Sequence, residues 1–435
     1  MTTKDFIRSA NNIFEQNEIS NIQINDLKKN GWKHFNDFGM PPNKHTEELW
    51  KYTNFSKLQN LNFSKPSKST FDLSNNLNDL INLSSNNIYI VNGFYDSEKS
   101  NFSKNIIIEN EKNINKLDYL VSHMGTIAKN EENEMLALNS SLMSDPIFIS
   151  LKNNSTEIST NIFIISTDDK ITFSSTPRLF IEASENSNYV INEIHINLSS
   201  EKNQTLEIPV LEYLLQKNSE INHKRIQLSS ESSYFFNFDR VQQNENSKFN
   251  SVSFSTSGEL SRFDIHTDLI GENSECSFHG LYITDKNQHQ ENEISTTHSV
   301  GRCSSDQMFK GILAGKSRAV FSGKVLVKQD AQKTKAFQKD LNFLLSEEAE
   351  VDTKPSLEIY ADDVECSHGA TAGNMDKSML FYLESRGINK DEAMSMLIKG
   401  FAQEIIDEFD DINIISILES ILENKINILD IQGVM

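Results

Sequence analysis

GILAGKSRAVFSGKVLVK, residues 311–328, can be read in two ways, and the fold depends on which is correct. Its first seven residues approach a phosphate-binding P-loop, which would make the chain a nucleotide-binding α/β protein. A P-loop needs four residues between its first glycine and its Gly-Lys pair, so that successive backbone N–H groups curl around the phosphates. Here only Ile312, Leu313 and Ala314 intervene. The loop must also follow a strand and open a helix, whose N-terminus completes the anion site. The preceding SSDQMFKGILAG (304–315) reads as a helix or helical turn. The following KSRAVFSGKVLVK (316–328) alternates as a strand, with Phe321, Gly323, Val325 and Val327 on one face. That order is the reverse of a P-loop's. The segment is expected to be a tight glycine turn leading into a strand, and to bind no nucleotide.

The same period of two recurs on both sides. In EIHINLS (193–199), Ile194, Ile196 and Leu198 alternate with His195 and Asn197, and in SVSFSTS (251–257), Val252 and Phe254 alternate with serines. SLEIYAD (356–362) sets Leu357, Ile359 and Ala361 against Glu358 and Tyr360. Many short strands punctuated by turns indicate an all-β body. Pattern alone does not separate a sandwich from a solenoid, and no fixed repeat period is evident.

Both ends return to helical spacing. DFIRSANNIFEQN (5–17) is apolar at helical intervals, and a Pro-Pro break precedes an aromatic cluster of Trp50, Tyr52 and Phe55. SKPSKSTFDLSNN (64–76) reads as a linker or exposed loop. Near the other end, DKSMLFYLESRG (376–387) is a short helix closed by Gly387. NKDEAMSMLIKGFAQEIIDEF (389–409) opens with Asn389 as N-cap and Glu392 three residues on. Met394, Leu397, Phe401 and Ile405 form its apolar stripe, widened by Ile398 and Ala402. INIISILESILENKINIL (412–429) is a further apolar helix.

Composition excludes several functions. A net charge of -21 repels phosphate backbones, so no nucleic-acid partner is expected. No apolar run of about 18 residues exists to span a membrane, and the polar start lacks the apolar core of a signal peptide. A cytoplasmic location is therefore expected. Three cysteines (Cys276, Cys303 and Cys366) do not make a disulfide framework, and fit a reducing compartment.

Among candidate sites, CSHGATAG (366–373) stands apart. Cys366 and His368 are one residue apart, so on an extended chain both side chains project the same way. Thiolate and imidazole are the usual ligand pair for zinc, iron and iron–sulfur centres, yet two ligands do not complete one. Taken alone, a buried thiol beside a hydrogen-bonded histidine accounts for the pattern. His289, His298 and Cys303 match no metal-site spacing and read as scattered surface groups. Adjacent Asp362 and Asp363 point to opposite faces of a strand and do not converge on one bond, whereas Glu358 and Asp362 share a face. A cytosolic β-solenoid carbohydrate-active enzyme using those carboxylates is the alternative reading.

Residues 354–393, KPSLEIYADDVECSHGATAGNMDKSMLFYLESRGINKDEA, closely resemble the SufB/SufD family of iron–sulfur cluster assembly proteins. The resemblance extends back through SEEAEVDTKP (346–355) and MFKGILAGKSRAVFSGKVLVKQDAQKT (308–334), and MPPNKHTEELWKYT (40–53) resembles the family's N-terminal lead into the core. Asp340 stands where SufB-type chains carry a cysteine, and Ser367–Thr371 replace their His-Glu-Ala-Thr-Thr run, so the likeness is to the SufD type. It implies a mainly β fold: a right-handed parallel β-helix core (101–365) between an N-terminal helical domain (1–100) and a C-terminal helical domain (366–435). It also implies a non-catalytic scaffold subunit, heterodimeric with a SufB-like chain and docked on a SufC-like ATPase that supplies the nucleotide chemistry. A transient Fe–S cluster would form at the SufB–SufD interface with His368 and Cys366 as inter-chain ligands. Met394, Leu397, Ile398, Phe401 and Ile405 would face SufC.

Overall fold

The computed structural model describes residues 3–42, 46–71, 79–154, 156–167, 172–200, 203–374 and 376–429. One parallel coil of chain builds two stacked sheets, of ten and eleven strands, by alternating between them. The first sheet takes Asn87–Val91, Ile158–Ser166, Asn188–Asn197, Glu220–Leu228, Lys248–Thr256, Glu275–Thr284, Ser304–Leu313, Thr334–Leu344 and Val364–Asn374, plus the short Phe94–Tyr95. The second takes Ile147–Leu151, Arg178–Ala183, Val210–Leu215, Ser233–Gln243, Leu260–Leu269, His289–His298, Arg318–Val327 and Glu350–Ile359, plus three short strands. The body is thus a parallel β-solenoid, and the mainly β fold with helical ends is as expected. The linker at 64–76 lies outside the described residues from 72 onward.

The repeat escapes a fixed-period search because its length drifts. Asn188 aligns with Glu220, then Lys248, Glu275, Ser304, Lys335 and Glu365, which are steps of 32, 28, 27, 29, 31 and 30 residues. What recurs is the corner before each of these strands. Asn186, Asn218, Asn246 and Asn273 occupy the left-handed region (φ 56 to 58°), followed in later turns by Arg302 and Lys333. Asparagine tolerates that conformation better than most side chains. Each amide donates to the one below, at 3.0, 3.0 and 3.3 Å. The following serine closes the turn: Ser219, Ser247 and Ser274 donate to the carbonyl three residues back.

Residues 304–313, expected to be helical, form a strand instead. Gln307, Phe309, Gly311 and Leu313 point into the solenoid, while Lys310 and Ile312 lie under the C-terminal helices. Burial on both faces puts apolar residues at odd and even positions alike and erases the period of two. Gly311 is required by space: a Cβ there would sit 2.5 Å from the Tyr282 ring. The same double burial inverts EIHINLS. Ile194 and Ile196 face outward into the cluster beneath the C-terminal helices, whereas Glu193 and His195 are enclosed in the solenoid.

Helices cover the outer faces. Helix α1 (Thr3–Gln16), α2 (Ile22–Phe38) and α3 (Glu134–Leu142) share a core with Tyr234, Phe236, Phe238 and Leu260 of the second sheet. Helix α3 is buried on every side, so it carries no amphipathic stripe to read. Trp50 pins this layer: its Nε1 donates to Glu134 at 2.9 Å, and Arg262 stacks over its ring. Thr53 donates to Glu291 at 2.7 Å. Helices α4 (Lys377–Ser385), α5 (Lys390–Asp407) and α6 (Ile412–Ile426) fold back over the first sheet. Asn389 caps α5 by accepting from the Glu392 N–H at 2.9 Å, and Gly387 (φ 88°) follows α4.

Candidate functional site

The two ends of the solenoid are finished differently. At the start, Asn87–Val91 and Ile147–Leu151 are each met by a short antiparallel strand, Phe94–Tyr95 and Ile106–Asn110. At the finish, Glu350–Ile359 and Val364–Asn374 each pair on one side only; the first is mostly half-buried and the second largely exposed. Long open edges with free backbone donors and acceptors are templates for pairing with another chain. Pro355, which has no N–H, sits in the Glu350–Ile359 edge strand, where its missing donor is tolerated. The last strand carries one charged residue, Glu365, among small ones, and a Cβ at Gly369 or Gly373 would meet nothing within 4 Å.

Cys366 and His368 lie on this last strand, in register with Ala336 and Gln338, so they share the face that continues the interior column. Cys366 is half-buried against Val327, Ala331 and Ala336, and burial pushes its thiol up. His368 is exposed on the end face. The pair is therefore adjacent, as the spacing indicates, and incomplete as a metal centre. Among the described residues, no further His, Cys, Asp or Glu joins them in a ligand cluster. Behind them the solenoid interior is polar. Gln338 is buried below His368 and donates to Gln307 at 3.0 Å. Asp340, in register with Ala370, accepts from Asn342 at 2.8 Å, and burial pushes its carboxyl up to about 7.

The apolar stripe of α5 faces inward. Ile398 and Ile405 are fully buried, Met394 is 7% exposed, and Leu397 and Phe401 pack against the same cluster. Phe401 stands 5.4 Å from Phe343, and Lys310 donates to its carbonyl at 2.9 Å. These five residues belong to the chain's own core, because the stripe's first partner is the solenoid sheet. The large apolar side chains these helices leave outside are Met379, Phe381 (72% exposed) and Tyr382 on α4, Met396 on α5 and Ile412 at the start of α6. Met379, Phe381 and Tyr382 were not legible as a surface, because a short helix with apolar residues on several sides does not show which side packs and which stays open.

The remaining candidates do not converge. GILAGKS is the end of one strand and the turn, with Gly315 at φ 60°, that leads to the next at Arg318. Its Lys316 pairs with Glu348 at 3.0 Å. Glu358 pairs with Lys324 at 2.9 Å, and the strand ends at Ile359, so Asp362 shares no face with it. His298 is buried rather than superficial. It bonds Ser305 at 2.8 Å, and burial lowers its imidazole to about 4. Cys303 is buried and donates to the Gly271 carbonyl.

The molecule is thus an open-ended parallel β-solenoid with helical ends that carries an adjacent thiol and imidazole on its last strand. The chain belongs to the SufBD family: residues 163–401 match the SUF system FeS cluster assembly, SufBD core domain, and residues 4–162 match the SufBD protein N-terminal region. It is 40% identical to the iron–sulfur cluster assembly protein SufD of Escherichia coli over 194 residues, 45% of this chain and 46% of that one. It is 30% identical to an iron–sulfur cluster assembly SufBD family protein of Synechocystis over 387 residues, 84% of this chain and 83% of that protein. A chloroplastic Arabidopsis thaliana protein, ABCI7, is 34% identical over 238 residues, 54% of this chain and 50% of its own length. The matched region thus covers about half of SufD and of ABCI7.

Proposed function

We propose that this chain is a non-catalytic scaffold subunit for iron–sulfur cluster assembly in the cytoplasm. A SufB-like chain would join the open solenoid end and complete the ligand set of Cys366 and His368. The cluster is cargo, held transiently between the two chains, and nucleotide hydrolysis belongs to a SufC-like ATPase. That ATPase would dock on the C-terminal helices through Met379, Phe381, Tyr382 and Met396, not through the buried stripe. Family membership supports the assembly role. The single observation that carries the site is the half-complete donor pair at an end where both last strands are paired on one side only. A soft thiolate with an imidazole suits iron–sulfur chemistry, and a site lacking its other ligands suits a shared interface.

Anaerobic affinity purification from the native host, followed by mass spectrometry, tests this directly. A SufB-like chain and a P-loop ATPase should co-purify. Phe381→Ala should reduce ATPase recovery without altering the melting temperature, and His368→Ala should keep the complex while lowering its iron and sulfide. Recovery of the chain alone under low salt, or an unchanged iron and sulfide content in His368→Ala, refutes the reading.

A further inference from the structure

We propose that the solenoid interior holds a divalent first-row metal ion between Glu193, His223 and Asp239. These residues lie on the strands Asn188–Asn197, Glu220–Leu228 and Ser233–Gln243, so both sheets contribute. One ligand atom from each lies within 4.8 Å of the others, and all three side chains are fully enclosed. Small rotations bring such a trio onto one ion at the ~2.1 Å typical of nitrogen and carboxylate ligands. An imidazole with two carboxylates suits manganese, iron or zinc, whereas calcium and magnesium sites are built from oxygen alone.

The surroundings orient the ligands as a metal site requires. Tyr213 donates to Glu193 Oε2 at 2.8 Å, and His195 Nε2 contacts Oε1. His223 Nδ1 meets Ser251 Oγ at 2.9 Å, which aims Nε2 at Glu193, 3.0 Å away. The hydroxyl can donate or accept, so the ring can present a free Nε2 to an ion by holding its proton on Nδ1. Asn237 donates to Asp239 Oδ1 at 3.0 Å.

The independent observation is Asp239 Oδ2. It is buried, belongs to a residue of this cluster, and has no hydrogen-bond partner. The nearby Arg225 does not supply that donor. Arg225 stands 3.8 Å from Glu193 and donates to the neutral oxygens of Asn237, Ser255 and Gln227. A buried carboxylate oxygen without a donor is costly, and a cation would satisfy it.

Because the ligands are enclosed, the ion would enter as the solenoid folds. The test therefore uses the full chain expressed in Mn2+-supplemented medium, in a Cys366→Ala/His368→Ala background that removes the donors at the mouth. This separates the outcome from that of the proposed assembly site. Retention of about one Mn2+ per chain is expected, with electron spin echo modulation from a ligating imidazole nitrogen. Asp239→Asn in the same background should lower retention roughly tenfold or more. Absence of Mn2+, bound Mn2+ without nitrogen modulation, or full retention in Asp239→Asn would each overturn the proposal. The spectrum of the unsubstituted interior decides the matter even if Asp239→Asn fails to fold.

Discussion

His279 ties the C-terminal helices to the solenoid, and its charge makes that attachment pH-dependent. It lies on Glu275–Thr284, with Nε2 2.6 Å from Asp306 and Nδ1 against Glu408 just past the end of α5. Burial opposes its charge, but the hydrogen bonds and charges of Asp306 and Glu408 prevail and raise its pKa to about 9. A cation at the C-terminal end of α5 also complements the helix dipole. The shift from 6.5 to about 9 sets a ceiling of roughly 3 kcal/mol on this contribution. Asp306 is about half exposed, so screening reduces the expected value to about 1–2 kcal/mol.

The sign follows from linkage. A histidine whose folded pKa is raised contributes its full stabilisation below its unfolded value near 6.5, and loses it as pH rises through about 9. The perturbation is Glu408→Gln, which keeps an acceptor for His279 and removes one charge. The assay is thermal unfolding from pH 6 to 10 in low salt, read as the difference between parent and variant so that other titrations cancel. The variant should be less stable by about 1 kcal/mol at pH 6.5, with the gap closing above pH 9. Limited proteolysis across residues 377–389 should follow the same profile. A gap that is constant, or that widens with pH, refutes the argument.

Other substitutions probe the interior. Gly311→Ala places a methyl 2.4 Å from Asn342 and 2.5 Å from Tyr282, and should cost about 1–3 kcal/mol in urea unfolding. Asp340→Asn should stabilise the chain by about 2 kcal/mol at pH 8 and be nearly neutral at pH 4. The reason is that an acid raised to about 7 by burial destabilises the fold as it ionises, and an unchanged melting temperature at pH 8 counts against this. Glu212→Gln should cost about 3–5 kcal/mol, because fully buried Arg178, 2.6 Å away, loses its counter-charge. It should also loosen the 125–128 loop, whose Gly125, Ile127 and Ala128 N–H groups donate to Glu212, and amide exchange there would report it.

Legibility in the sequence followed burial geometry. Strands with one polar and one apolar face, such as Arg318–Val327, could be read from their alternation. Ser304–Leu313 and helix α3 could not, because burial on all sides removes the contrast that a period needs. The solenoid itself was legible in an unexpected place. The Asn-Ser pairs at 186–187, 218–219, 246–247 and 273–274 mark successive corners, and a search for turn chemistry would have found them where a search for fixed spacing did not. Cys366 and His368 were legible because adjacency on a strand is local. The Glu193, His223 and Asp239 cluster was not, since the two sheets bring together residues separated by 30 and 16 positions. The inward turn of the α5 stripe was hidden for a related reason: an apolar helix face specifies burial without specifying against which partner.

The two ends of the solenoid carry the functional argument one step further. A chain able to close its first turns with short antiparallel strands leaves its last two strands, Glu350–Ile359 and Val364–Asn374, bare. Stability alone does not require this, since water satisfies exposed backbone groups, but solubility normally opposes a long edge as sparsely charged as Val364–Asn374, whose one charge is Glu365. Here the edge is kept flat and unobstructed by Gly369, Ala370, Ala372 and Gly373, while the polar interior column of Gln307 and Gln338 rises to His368 beside it. Filling the mouth with large apolar side chains would close the end and bury the thiol. The small residues instead leave Cys366 and His368 accessible at the open end, as the proposed shared site requires. On the proposed reading, adding a bulky charged side chain at Ala370 should therefore abolish partner recovery while leaving the unfolding free energy of the isolated chain within about 0.5 kcal/mol of parent, as expected of an exposed position.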